Sequence, residues 1–159
     1  MSTRALATPW VASLLLCAAA IPSAAHAETD ACMVLSPAQV GAAAGVAVSE
    51  GKHVTPTFVK TCTWSASGQS EVKFITLYLQ SAAAYDGGKR MAAQMAAGGA
   101  SVTPAAVGDD AYYFVAGDQV GLLVKKGEVS FKVSVYATLP VARKEAMELA
   151  LAREALARL

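Results

Sequence analysis

Apolar and polar positions alternate most sharply near the end of the chain. Val129, Phe131, Val133 and Val135 alternate with Ser130, Lys132, Ser134 and Tyr136, the two-residue period of a strand with one buried and one wet face. Ala111–Ala116 and Gln119–Lys125 read as two further β runs before a third, Glu128–Ala137. Gly117-Asp118 and Lys126-Gly127 are the short turns that would join them as hairpins. In the middle of the chain, Glu71–Gln80 places Val72, Phe74, Thr76 and Tyr78 on one face and Lys73, Ile75, Leu77 and Leu79 on the other. Both faces are largely apolar, which predicts an interior strand. Phe58–Ser65, with Val59, Thr61, Thr63 and Trp64, predicts its neighbour.

Helical signals separate these runs. Ser36, Pro37 and Gln39 form a capping box with proline at the first helical position, and Gly45 predicts an end at about Ala44. Ser81 predicts a second helix, about Ala82–Ala97, ended by Gly98-Gly99; Gly87-Gly88 imply either a break or a close backbone approach. Pro140 opens a last helix with an expected apolar stripe of Ala142, Ala146, Leu149, Leu156 and Leu159, and with Glu154 and Arg158 as an ion pair one turn apart. Residues 46–57 and 98–109 read as loops. The expected fold is α+β: three helices and a mainly antiparallel sheet of about five strands, in the order α-β-β-α-β-β-β-α.

The first 27 residues alter this picture. Arg4, an apolar run from Trp10 to Ile21, Pro22 and Ala25-His26-Ala27 have the three parts of a secretory signal peptide, with cleavage expected after Ala27. The run is too short to span a bilayer. Leu16 stands where a lipobox wants a small residue, which argues against a lipid anchor at Cys17. Residues 28–159 are then a single domain with a periplasmic or secreted location. Of three cysteines, Cys32 and Cys62 remain, and an even pair in an oxidising compartment predicts one disulfide. It would close about 31 residues, worth roughly 3–4 kcal/mol.

Cys32-Met33-Val34-Leu35-Ser36, then Cys62-Thr63-Trp64, then Gly108-Asp109-Asp110-Ala111-Tyr112 resemble the pattern C-x-x-L-[ST]…C-x-W…G-[DE]-x-A-[YF] of a broad group of small secreted bacterial proteins and lipoproteins. The extracellular sensor domain of a mycobacterial serine/threonine kinase is similar in style. The resemblance implies an exported α+β module for ligand or partner binding.

Charge and chemistry narrow the function. The net charge of +1 falls to zero once Arg4 leaves, because 12 basic residues then face 12 acidic ones; no nucleic-acid partner is expected. The remaining histidine, His53, has no nucleophile-elbow pattern near it. Asp109, Asp110 and Asp118 fit no calcium-loop spacing, and Gly108-Asp109-Asp110 reads as a turn whose carboxylate accepts backbone N–H groups. No phosphate-binding glycine loop appears, so no cofactor and no metal is expected. What remains is recognition by a mixed sheet face carrying Lys132, Ser134 and Tyr136, with Leu123 on the adjoining strand. The first reading is therefore a non-enzymatic, sensor-like or inhibitor-like binding module for an unknown protein, peptide or small ligand. A periplasmic immunity or antagonist protein is the first alternative, and a hydrolase relying on His53, Asp109 or Asp110 the second.

Overall fold

The computed structural model describes residues 29–159, so the signal-peptide expectation for residues 1–27 and Cys17 lies outside the described residues. A single 3-10 turn, Ala31–Met33, precedes α1 (Pro37–Ala44). The capping box forms as the sequence predicts: the Ser36 hydroxyl accepts from the Gln39 N–H, and Gly45 ends α1 in the left-handed conformation at φ 66°. β1 (Lys52–His53), β2 (Thr61–Ser65) and β3 (Val72–Ser81) follow, then α2 (Ala82–Ala96). The chain ends with β4 (Ser101–Pro104), β5 (Asp110–Ala116), β6 (Gln119–Lys126), β7 (Val129–Ala137) and α3 (Val141–Leu156).

The class is α+β, as expected, but the antiparallel sheet has seven strands rather than about five, in the order β1-β2-β3-β7-β6-β5-β4. The two extra strands, β1 and β4, lie within segments that read as loops. Both are edge strands of two and four residues, too short to show a period, and Pro104 in β4 suits an edge. β3 is interior, as its two apolar faces predict. A register shift between Val72 and Phe74 turns Val72 to the same side as Ile75, Leu77 and Leu79. The Gly117-Asp118 turn forms as expected, whereas the β6–β7 turn is Gly127-Glu128, one residue further on.

One sheet face is the main core. Trp64, Ile75, Leu77, Leu122, Val124, Phe131 and Val133 pack there beneath α1 and α3. The disulfide between Cys32 and Cys62 forms and ties the 3-10 turn to β2 beside Trp64. α2 covers part of the opposite face, where Tyr85 and Ala92 meet Tyr112. Its glycines do not break it, and no other backbone closes on them: a Cβ at Gly88 would meet the Tyr112 hydroxyl at 3.7 Å and one at Gly87 the Arg90 side chain at 3.9 Å, both ordinary van der Waals contacts, so neither expected reason for the pair is found. No helix among the described residues is long and apolar enough to cross a membrane.

The stripe of α3 departs from expectation. Leu149 and Leu156 pack at the edge of the core as expected, but Ala142, Ala146 and Leu159 are exposed, and the fully buried positions are Lys144, Glu148, Leu151, Ala152 and Ala155. The helix is rotated because two polar side chains complete backbone hydrogen bonds of the sheet. β6 pairs with β7 only as far as Leu122–Val133. Beyond that point the Val135 N–H donates to Glu148 Oε1 at 2.9 Å, while Lys144 Nζ donates to the Asp118 carbonyl. Glu154 accepts from Gln39 Nε2 at 3.0 Å rather than pairing with Arg158.

Candidate functional site

Strand register sorts the second sheet face into rows. Thr61, Tyr78, Lys132, Leu123 and Tyr112 form one row across β2, β3, β7, β6 and β5. Phe74 and Tyr136 pair in another, with rings stacked at 4.2 Å. Leu123, Lys132, Ser134 and Tyr136, the residues named from sequence, thus share one face, but they differ in accessibility. Tyr136 is 37% exposed, Lys132 and Leu123 are half-buried, and Ser134 is 2% exposed. The expectation that Ser134 presents a wet hydroxyl is therefore corrected. Gly121 lies beside it, and the Lys132 chain folds across that glycine; a Cβ there would be 2.5 Å from Lys132 Cε and 3.1 Å from Ser134 Oγ.

α2 covers the β5–β6 side of this face and is clasped in place at two points. Lys89 Nζ lies 2.5 Å from an Asp110 oxygen, and Lys125 Nζ lies 2.9 Å from Asp86. The Lys89 ammonium holds the Asp110 carboxyl below the usual carboxylate range, against the opposing effect of burial. Burial, followed by the nearby Asp110 charge, pushes the Tyr85 phenol well above its ordinary value. Beyond this clasp α2 presents Met91 and Met95, 62% and 49% exposed. With Phe114, Leu123 and Lys132 they line an apolar groove of about 150 Å³. Lys132 has no hydrogen-bond or ion-pair partner among the described residues, unlike Lys89 and Lys125.

Away from the helix, β2, β3 and β7 leave the face open. Phe58, 43% exposed, lies 6.2 Å from Tyr78, and the Phe74–Tyr136 stack lies beyond. Sequence reasoning missed the methionines: Met91 and Met95 lie inside the stretch read as a helix, and nothing along the chain marks them as one wall of a groove. A larger cavity, of about 390 Å³, lies on the other side of the sheet, beside the disulfide. Residues 32–37 form much of its wall.

The residues considered for hydrolysis do not converge. His53 is on β1 and Asp110 on β5, five strand spacings apart, or roughly 24 Å. Asp110 is held by Lys89, and Asp109 accepts the Gly127 N–H of the β6–β7 turn at 2.7 Å rather than an N–H of its own turn. His53 Nε2 lies 2.7 Å from Asp30 Oδ1, which also accepts the Cys32 N–H. The hydrogen bond to His53 holds the Asp30 carboxyl below its ordinary value. No protein-family model, curated protein or solved structure matches the chain.

Proposed function

We propose that the chain is an exported, non-enzymatic binding module whose site is the sheet face bordered by α2. The observation that carries this reading is the run from the Met91–Met95–Leu123 groove past Lys132 to the Phe74–Tyr136 stack. Exposed methionines and aromatics beside an uncompensated cation are costly on a surface with no partner and useful at an interface. The groove is about 150 Å³, half the lower limit of small-molecule pockets at about 300 Å³. The shallow, broad face therefore favours a segment of another protein over an enclosed metabolite. The chemistry that fits is an acidic side chain to meet Lys132, flanked by aliphatic or aromatic residues to enter the groove and lie on Tyr136. An antagonist acting on one protein target is a form of the same reading. The resemblance of the short Cys and Trp pattern to exported bacterial modules agrees with it.

Selection of a displayed random peptide library against the folded chain tests the proposal. Recovered peptides carry an acidic residue beside apolar ones, and their binding falls at least about tenfold for Leu123→Asp and Lys132→Glu, a loss of about 1.4 kcal/mol each. Peptides without this pattern, or binding unchanged in both variants, would refute it.

A further inference from the structure

We infer that the disulfide region is a metal site when reduced: Asp30, Cys32, His53 and Cys62 are placed to hold one zinc-like divalent cation. Donor atoms of Asp30, Cys32 and His53 all lie within 4.8 Å of one another, and Cys62 Sγ is bonded to Cys32 Sγ. Two sulfurs, one imidazole and one carboxylate form a four-ligand set that suits tetrahedral zinc, whose neighbouring ligand atoms stand about 3.3–3.8 Å apart. Cys62 Sγ stands outside that group of three and joins it only once its bond to Cys32 is broken and its side chain turns toward Asp30 and His53.

The scaffold keeps these donors together without the covalent bond. His53 and Cys62 are directly opposite each other in the β1–β2 pair. Asp30 caps the 3-10 turn that carries Cys32, and the Ala31 N–H anchors that turn to the Val59 carbonyl at 2.8 Å. Asp30, Cys32 and His53 are half-buried, so water reaches the cluster, and the 390 Å³ cavity opens beside Cys32.

In the oxidised chain the sulfurs are neutral and the Asp30–His53 contact occupies two of the donors. A dithiol reductant changes the set. Its thiolate attacks one sulfur, the Cys32–Cys62 bond breaks, and its second thiol closes its own disulfide. Two electrons pass to the protein and two cysteine thiols form, taking up the two protons that the dithiol gives up. The cation then displaces both thiol protons, and neutral His53 and ionised Asp30 complete the shell. A covalent staple is exchanged for a metal staple between the same segments.

The test titrates cobalt(II), as a spectroscopic substitute for zinc, into the full folded chain, oxidised and phosphine-reduced, without oxygen. The reduced chain is expected to bind one cobalt with thiolate charge-transfer and tetrahedral ligand-field bands, both erased by zinc. His53→Ala and Asp30→Asn, checked for folding by circular dichroism, should each weaken binding by about tenfold or more. Absence of these bands, equal affinity in the oxidised chain, or unchanged affinity in both variants overturns the inference. So does a reduced chain that unfolds and is not refolded by the metal.

Discussion

Glu148→Gln should abolish a pH dependence of stability that wild type carries in its core. The Glu148 side chain is fully buried on α3, where Oε1 accepts the Val135 N–H and Oε2 has no partner. Burial pushes its carboxyl from 4.5 up to about 8, the Val135 N–H, Lys132 and Lys144 opposing and Glu145 adding to the rise. The folded state therefore holds a proton that the unfolded chain has released above pH 4.5. This contribution to stability is fully present below pH 4.5 and is lost as pH rises through about 8. At about 1.4 kcal/mol per pH unit, wild type loses about 4 kcal/mol relative to the glutamine variant between pH 5 and pH 9, with the difference levelling off above pH 8. Glutamine keeps the acceptor for Val135 and cannot ionise. Urea unfolding followed by tryptophan fluorescence at pH 5, 7 and 9, with the disulfide intact, measures the difference. Nearly equal stability at pH 5 and a variant more stable by several kcal/mol at pH 9 is expected. Parallel profiles, constant to about 0.5 kcal/mol, would refute the reasoning.

Three further outcomes follow from the packing. Gly51→Ala should cost about 1–3 kcal/mol by chemical denaturation, because its Cβ would meet the buried Cys62 Sγ at 2.5 Å and Trp64 Nε1 at 2.7 Å. Replacing Cys32 and Cys62 together by alanine should cost roughly 3–4 kcal/mol and lower Tm by about 10 °C; an unchanged Tm would show that the segment before α1 needs no staple. Lys89→Ala should change global stability by less than about 1 kcal/mol, since the Lys89–Asp110 pair is nearly half exposed. It should nevertheless speed amide hydrogen exchange in α2, which that pair anchors.

The sequence was most legible where local pattern and local chemistry coincide. β7 was visible from its alternation, β5 and β6 from runs bounded by short glycine turns, of which the second fell one residue later than read, and α1 because its capping box is complete within four residues. The cysteine pair followed from parity. Legibility failed where one side chain answers a distant backbone group. α3 buries Lys144 and Glu148 to satisfy the Asp118 carbonyl and the Val135 N–H, so an apolar stripe drawn on hydropathy alone was right only for Leu149 and Leu156, which pack at its edge, and wrong for Ala142, Ala146 and Leu159. β1 and β4 carry too few residues to display a period. At the candidate interface, Lys132 and Tyr136 could be assigned to one strand face, but the groove needed α2 folded back over β6. The burial of Ser134 depends on Gly121 in another strand. His53 joined Asp30 and Cys32 through the pairing of β1 with β2, a contact that no spacing along the chain announces.

Amide and methyl NMR of the folded, isotope-labelled chain, titrated with a selected acidic–apolar peptide, is the most direct measurement of where recognition occurs. The expected result is saturable shifts concentrated at Met91, Met95, Leu123, Lys132 and Tyr136. Shifts concentrated instead around Gly51 and Trp64, on the opposite side of the sheet, would contradict it.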